Sequence, residues 1–172
     1  DKMGEQLFAN GVNIIDDPLR LRGLRSKAFD AEGVATQARH IINDGTLKTW
    51  VMDMRSARQL GLKTTGNAAR GTSSPPSPST TNLYMDAGTV SREDLIKSVK
   101  SGFYITELIG MGVNGITGDY SRGAGGFWIE NGEITFPVNE VTIAGTLLDI
   151  FRKLTPADDL VFQFGTNAPT VR

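Results

Sequence analysis

The sequence predicts an α+β fold, a mainly antiparallel, β-rich single domain over residues 1–172 with about three helices. Two dipeptides that favour tight hairpins, Asp44-Gly45 and Asn131-Gly132, each lie between segments of β-type residues. A capping sequence begins at Ser91, and apolar residues at helical spacing run through residues 143–154. The chain lacks the strand–helix alternation that is typical of parallel sheets.

The first half is predicted to contain three strands and one short helix. The predicted strands are residues 12–15, 34–42 and 47–54. Asp16-Asp17-Pro18 closes the first strand because proline cannot donate to a β-ladder. The helix covers residues 55–60 and ends at Gly61. Between the first and second of these strands, residues 20–29 are predicted to form a basic, glycine-interrupted loop.

The second half is predicted to contain two helices and four further strands. The helices are residues 91–102, with Ser91 as N-cap, and residues 142–154. The strands are residues 103–109, 127–130, 134–138 and 160–164.

Two stretches match each other when one is shifted by 87 positions without a gap. Residues 42–60 and 129–147 then align their apolar positions and turn dipeptides. An internal duplication predicts two related strand-turn-strand-helix units that pack as pseudo-symmetric halves of one β-rich layer. The alternative interpretation is a chance coincidence of apolar identity and turn chemistry.

Residues 64–81 differ in composition from the rest of the chain. They are rich in glycine, serine, threonine and proline, and such segments bury little surface. We therefore expect a flexible surface loop. A segment read by a proline-binding partner is the alternative.

The composition is that of a soluble globular domain. Hydrophobic residues make up 39%, charged residues 22%, and the formal net charge is -1. This balance argues against binding of nucleic acid by charge alone. No apolar run reaches the roughly 18 residues of a membrane span. The absence of cysteine excludes disulfides and suits a cytoplasmic location.

The sequence contains no self-contained metal or triad site. His40 is the only histidine, whereas a catalytic zinc site normally takes three ligands from His, Asp, Glu or Cys. We interpret His40 as structural; the alternative is a ligand completed by another chain. A Ser-His-Asp triad would also depend on His40, and no G-x-S-x-G motif is present.

Residues 110–115, GMGVNG, match the dinucleotide fingerprint G-x-G-x-x-G. The fingerprint requires a helix that opens at its third glycine, so that helix amides face the pyrophosphate. The β-branched Ile116 and Thr117, followed by Gly118, oppose such a helix. Nucleotide binding is therefore the weakest functional hypothesis.

Residues 118–126, GDYSRGAGG, carry the most suggestive chemistry. Four of these nine residues are glycine, which allows close approach of another chain or a ligand. Tyr120 offers an aromatic ring with a polar tip, and Asp119 and Arg122 carry opposite charges that can pair. One interpretation is a peptide-contacting loop. The other is a glycine-rich turn between strands, in which the two charges only satisfy each other.

Several long segments resemble, in order, the C-terminal region of TldE/PmbA proteins, the "modulator of DNA gyrase" family. The matching segments are residues 16–37, 42–71, 106–115 and 110–152, the last of which reads GMGVNGITGDYSRGAGGFWIENGEITFPVNEVTIAGTLLDIFR. The resemblance covers nearly the whole chain. It implies that the chain is a C-terminal fragment of a longer protein.

The resemblance also implies a role in proteolysis. TldD and TldE chains of this family act together as a protease on partly unfolded peptides, including a microcin precursor and an antitoxin. Its zinc-binding HExxxH motif belongs to TldD, whose C-terminal part adds a cysteine ligand. This sequence has neither the motif nor a cysteine. The resemblance therefore implies a zinc-free partner subunit without a cofactor, assembled with a TldD-like subunit that carries the zinc.

Such a subunit can hold an extended peptide by pairing along an exposed strand edge. We expect that edge at residues 118–123 and in the strand that follows. The residues expected to contact peptide or partner are Asp119, Tyr120, Ser121, Arg122, Gly123, Phe127 and Trp128. The competing hypothesis is a non-catalytic, homo-oligomeric regulatory or binding module, in keeping with the gyrase-modulator name.

Overall fold

The computed structural model describes residues 2–172, which contain ten strands and three helices. The strands are β1 (Ile14–Asp16), β2 (Arg39–Asn43), β3 (Thr46–Leu47), β4 (Ala68–Ala69), β5 (Ser77–Pro78), β6 (Leu83–Met85), β7 (Ser101–Ile109), β8 (Asp119–Glu130), β9 (Glu133–Thr146) and β10 (Thr166–Asn167). The helices are α1 (Met54–Leu60), α2 (Arg92–Lys97) and α3 (Leu147–Lys153).

The strands form three sheets. A five-stranded sheet has the order β10-β6-β1-β2-β3, a three-stranded sheet has the order β7-β8-β9, and β4 pairs with β5. All pairs are antiparallel except β10 with β6. The predicted α+β fold with a mainly antiparallel sheet and three helices is confirmed. Within residues 2–172, no helix is both long and apolar enough to cross a membrane.

Both predicted hairpin turns are confirmed. The central residues have positive φ, at 47° and 74° for Asp44-Gly45 and at 50° and 84° for Asn131-Gly132. Positive φ at both positions defines the type I′ turn, whose twist matches that of the flanking strands. The pairs that close the turns are Asn43 with Thr46 and Glu130 with Glu133.

Side-chain caps begin all three helices. The Asp53 carboxylate accepts the Ser56 N–H before α1, and the Ser91 hydroxyl accepts the Asp94 N–H before α2. Gly61 ends α1 in the left-handed conformation, at φ 67°, as predicted. Helix α2 is shorter than predicted, because β7 already begins at Ser101 and leaves no room for a helix to residue 102.

Three predicted elements are wrong in extent or type. Residues 34–38 and 48–53 are not strand, and the Met52 N–H donates instead to the Thr65 hydroxyl at 2.7 Å. Residues 160–164 are also not strand, since the amides of residues 163 and 164 donate to the Asn167 side chain. In residues 48–53 and 160–164, a side chain thus replaces the backbone partner that a ladder would supply.

The predicted helical start at residues 142–146 is wrong too. These residues extend β9, and Ile143 pairs with Arg122 while Thr146 pairs with Asp119. The long partner strand β8 offers them backbone hydrogen bonds that a lone helical turn cannot match. Helix α3 therefore starts only at Leu147, with Thr146 as its N-cap.

The segment 64–81 buries more than its composition suggested. Thr65, Asn67, Ala68 and Thr81 are buried, and only its middle, residues 70–75, is continuously exposed. The ends are fixed by buried Asp16, whose carboxylate accepts bonds from Asn67 Nδ2 at 2.6 Å and from Thr81 N at 2.6 Å and Oγ1 at 2.8 Å. The expectation of little buried surface was wrong for these ends, because short polar side chains can be buried when each is hydrogen-bonded.

The hydrophobic core lies in the five-stranded region. Phe8, Val12, Ile42 and Leu47 form its buried centre. The ring of Phe151, on α3, stacks on Phe8 with 4.3 Å between ring centroids. Helix α3 thereby connects this core to the hairpin of β8 and β9.

The proposed pseudo-symmetric layer is not present. The two units belong to different sheets, one of five strands and one of three. Shifted by 87 positions, α1 would cover residues 141–147, yet these residues lie in β9 up to Thr146. The two stretches share their turn geometry, and the packing of each is set by its own neighbours.

Candidate functional site

All of the residues expected to contact a peptide lie on β8, the central strand of the three-stranded sheet. The stretch expected to be a loop is a strand, because Asp119 to Glu130 pairs with β9 along its whole length. On the opposite side, β7 pairs with residues 123–130. The residues therefore belong to the interior of a sheet.

The remaining side of residues 119–122 is covered by the connection of residues 110–118. The Ser121 N–H donates to the Gly112 carbonyl at 2.7 Å, and the Asn114 N–H donates to the Asp119 carbonyl at 2.9 Å. A Cβ on Gly112 would lie 1.4 Å from the Ser121 carbonyl oxygen, so this approach requires glycine. The expected strand edge at residues 118–123 is thus already occupied by the chain itself.

The same contact explains the GMGVNG motif. Its glycines permit a close backbone approach within the sheet, and no helix opens at Gly115, where the chain forms a turn. The structural context of a dinucleotide site is therefore missing here.

Glycines within β8 also serve strand packing. A Cβ on Gly126 would lie 2.0 Å from the Tyr104 carbonyl oxygen of β7. The register of β7 shifts between Ile105 and Glu107, opposite Gly125 and Gly126. Bulges of this kind often need a residue without a side chain.

Asp119 and Arg122 do not pair, although the sequence allows such a pair. The Thr117 hydroxyl donates to the Asp119 carboxylate at 2.6 Å, and Arg122 Nη2 donates to the Leu108 carbonyl at 3.2 Å. Residues three apart on a strand point to opposite faces, so their side chains separate. The Arg122 Nε is buried without a hydrogen-bond partner.

An apolar groove of about 740 Å³ lies between this sheet, α2, α3 and the last residues of the chain. The sheet contributes Gly102, Phe103, Tyr104, Ile105, Leu108, Tyr120, Ile129 and Ile143. The helices, the residues that directly follow them and the end of the chain contribute Leu95, Ile96, Val99, Leu147, Ile150, Phe151, Leu154, Thr170, Val171 and Arg172.

The chemistry of this lining suits binding. Its ionisable groups are the phenols of Tyr104 and Tyr120 and the guanidinium of Arg172, which donates to the Ser98 hydroxyl. A lining of aliphatic and aromatic side chains with a few polar groups at its rim holds apolar ligand groups and fixes their orientation.

Of the seven residues expected at the site, Tyr120 lines the groove. Asp119, Ser121 and Phe127 are exposed, whereas Arg122, Gly123 and Trp128 are half-buried. The seven residues therefore lie on one strand, but their side chains are distributed over both faces of the sheet.

The lining residues that come from the two helical segments follow an apolar pattern that is visible in the sequence. The apolar stripe of residues 143–154 and the apolar positions of α2 were recognised as helical patterns, yet they wall an open groove. Helix α3 has no buried residue. Periodicity reports that a face is apolar, and it does not report what covers that face.

The three-stranded sheet ends at β7 and β9. Their outer edges carry backbone amides and carbonyls that no other strand in residues 2–172 pairs. Such edges can accept an added strand. Backbone pairing with an extended peptide is therefore possible at β7 and β9 and is excluded along β8.

The residues present do not fit a catalytic zinc ion. His40 is exposed on β2, opposite Ile15. Within residues 2–172, no three His, Cys, Asp or Glu side chains lie close enough together to hold a metal. No catalytic step through a metal can be assigned to this part of the protein.

The domain is β-rich, and an apolar groove lies beside its three-stranded sheet. The chain belongs to the family described as PmbA/TldA metallopeptidase C-terminal domain, which matches residues 1–172. Metalloprotease PmbA of Escherichia coli O157:H7 is 46% identical over 154 residues, which are 90% of this chain and 32% of that protein. A metalloprotease TldD homolog of Haemophilus influenzae is 35% identical over 160 residues, 92% of this chain and 33% of that protein.

Solved structures agree with this assignment. A Thermotoga maritima protein named as a candidate modulator of a DNA gyrase superposes with a TM-score of 0.85 at 39% identity, over 99% of this chain and 39% of that one. TldE from Thermococcus kodakarensis gives a TM-score of 0.88 at 26% identity, over 99% and 40%. The chain spans about a third of the length of the curated relatives it matches.

Proposed function

We propose that the intact protein is a zinc-free partner subunit of a TldD/TldE-type metallopeptidase in the cytoplasm. Its substrates would be partly unfolded peptides, of which microcin precursors and antitoxins are the expected examples. The observation that supports a binding role for this domain is the apolar groove beside two unpaired strand edges. The zinc would belong to the TldD-like partner.

Two further observations support this assignment. The chain is 46% and 43% identical to two PmbA-type proteins, and it is 35% and 32% identical to two TldD-type proteins. The chain also has no cysteine and one histidine, whereas a catalytic zinc site normally takes three protein ligands.

A groove of this kind suits an unfolded peptide. Unfolded chains expose apolar side chains that folded proteins bury, and the groove removes such groups from water. An edge of β7 or β9 would pair with the peptide backbone, while Tyr120 would contact a side chain from the sheet face. Asp119, Ser121 and Phe127 remain predicted contacts through their exposed side chains.

The test uses the intact protein and a TldD-type subunit, with a fluorogenic unstructured peptide as substrate. We expect zinc-dependent cleavage in the mixture and none with either subunit alone. Tyr120→Asp with Ile143→Asp places charge in the groove and should lower kcat/KM by roughly tenfold or more, mainly through KM. Leu60→Asp, which changes an exposed leucine on α1, is the control and should leave cleavage unchanged.

Cleavage by this protein alone would contradict the proposal, as would a groove variant with unchanged kcat/KM. A second candidate, a non-catalytic homo-oligomeric binding module, is in keeping with the gyrase-modulator names of solved relatives. Light scattering separates the two. A stable homo-oligomer that does not change on addition of the TldD-type subunit would favour the second candidate.

A further inference from the structure

A loop that alternates leucine and arginine projects from the five-stranded region. We call residues 19–25 the Leu/Arg loop. Its leucines are among the most exposed large apolar side chains, at 58% for Leu19, 88% for Leu21 and 73% for Leu24. Arginines occupy positions 20, 22 and 25, and residues 18–29 contain no acidic side chain.

The loop is held in a defined shape. Buried Asn82 accepts the Arg25 N–H at 2.9 Å and donates to the Asp17 carbonyl at 2.8 Å and to the Ser26 hydroxyl at 2.9 Å. A Cβ on Gly23 would lie 2.7 Å from Asn82 Nδ2, so the loop packs directly on its anchor. The hydrogen bonds to Asn82 therefore hold the loop backbone in one shape, and binding costs little ordering entropy of the loop.

Apolar residues near the end of the chain widen this surface. The Arg20 guanidinium lies 3.2 Å above the centre of the Phe162 ring. The neighbouring Val161 and Phe164 are 60% and 69% exposed. Large contiguous apolar patches with a polar rim are typical of interaction sites.

The loop arginines form no ion pair within residues 2–172. The ion pairs found within residues 2–172 join Lys2 to Glu5, Arg92 to Glu93 and Lys97 to Asp94. None of them involves a loop arginine. Arg22 and Arg25 are exposed, so their guanidinium groups can receive carboxylates from another molecule.

We propose that the Leu/Arg loop is a docking site for an extended acidic segment of another protein, with carboxylates that alternate with apolar side chains. The carboxylates would pair with Arg22 and Arg25, and the apolar side chains would pack on Leu21, Leu24 and Phe164. Charge complementarity selects the partner and speeds association, and the apolar contacts supply affinity. This inference does not depend on the proposed metallopeptidase function.

The geometry favours a protein segment over a membrane surface. Membrane-surface segments are usually amphipathic helices that separate a basic face from an apolar face. The Leu/Arg loop is not helical, and its two kinds of side chain alternate along the chain.

The experiment measures how a fluorescent peptide binds to the intact protein. The peptide has about 12 residues and alternates glutamate with leucine. We expect saturable binding that weakens as salt rises. Arg22→Glu with Arg25→Glu should weaken binding by about tenfold or more, and so should Leu21→Asp with Leu24→Asp. Lys63→Glu with Arg70→Glu makes the same charge change at exposed cations elsewhere and should bind as the wild type does.

A second peptide with lysine in place of glutamate tests complementarity. It should bind the Arg22→Glu, Arg25→Glu variant and leave the wild type unbound, which also shows that the variant is folded. The proposal is overturned if the wild type does not bind the acidic peptide, or if the Lys63/Arg70 control loses as much affinity. It is also overturned if vesicles of phosphatidylcholine and phosphatidylglycerol bind the loop while the peptide does not.

Discussion

The five-stranded region and the three-stranded sheet differ in which of their side chains are buried. In the first, apolar side chains such as Val12 and Ile42 are buried, and so is the polar group of Asp16, Asn67 and Thr81. In the second, the buried residues of the three strands are Ala124, Gly125, Gly126 and Ile129, all on β8. The core of the first region is covered by its own chain, whereas the second presents an apolar face to its surroundings.

The largest expected effect in this comparison is the loss of the buried carboxylate. Asp16→Ala removes the acceptor of the buried Thr81 amide and hydroxyl and one of the two acceptors of the Asn67 side-chain amide. We expect the free energy of unfolding to fall by about 3–5 kcal/mol, measured by urea denaturation. Asp158→Ala, at an exposed position, should change it by less than about 0.5 kcal/mol. Equal losses in the two variants would contradict the buried network.

A pair of isoleucine substitutions compares the two regions directly. Ile42 is 3% exposed in the core, and Ile150 is 37% exposed in the groove wall. Ile42→Ala should cost about 2–4 kcal/mol because it leaves a cavity. Ile150→Ala should cost less than about 1 kcal/mol because its side chain gains little from folding. A similar cost at both positions in thermal or urea unfolding would mean that the groove is part of the core.

Substitutions at two glycines of β8 test whether the stability of the three-stranded sheet depends on close packing between its strands. Gly126→Ala places a methyl group against the Tyr104 carbonyl, whereas the nearest neighbour of a Cβ on Gly123 is Ile109 Cβ at 3.5 Å. We expect a loss of about 1–3 kcal/mol for Gly126→Ala and a change within about 0.5 kcal/mol for Gly123→Ala. Urea unfolding would refute this account if both variants were as stable as the wild type.

Acid should destabilise the fold through Asp30, whose carboxylate accepts hydrogen bonds from its own turn and from Ala68 of β4. Burial by itself raises the pKa of this carboxyl, but hydrogen bonds from the amides of Ala68, Val34 and Glu32 and the charge of Lys27 outweigh it, so the pKa is lowered. A folded pKa below the unfolded value of about 3.9 adds stability that is present above about pH 4 and is lost as the pH falls.

Asp30→Asn should therefore be less stable than the wild type at pH 7 and should lose less stability on acidification. Urea midpoints at about pH 7, 5, 4 and 3 measure this. Parallel pH curves for the two proteins would show that Asp30 does not contribute. Asp159, whose pKa is also lowered because bonds from Thr170 outweigh the effect of burial, should keep some acid sensitivity in the variant.

Several features were predictable because they depend on neighbouring residues only. Asp44-Gly45 and Asn131-Gly132 accept positive φ wherever they occur, so both type I′ turns followed from the sequence. The capping hydroxyl of Ser91 and the left-handed Gly61 act within one helical turn. The long segments shared with TldE/PmbA proteins indicated the family, which the match over residues 1–172 confirmed.

Other features depend on contacts between distant segments. Residues 64–81 looked like a loop that buries little, and the Asp16 carboxylate, about fifty residues away from Asn67 in sequence, fixes its ends. Residues 118–126 looked like a loop because glycines predominate, and two flanking segments make them the centre of a sheet. A local pattern cannot report a partner that is remote in sequence.

The sequence by itself thus determined the fold class, the hairpin turns, the start of α2, the end of α1 and the family of this chain. The tertiary structure decided which apolar stripes enter the core and which wall the groove. It also decided that β8 has no open edge and that Asp119 and Arg122 lie apart. The physical reason is that turn and cap energies arise within a few residues, whereas burial and strand pairing depend on how the whole chain is arranged.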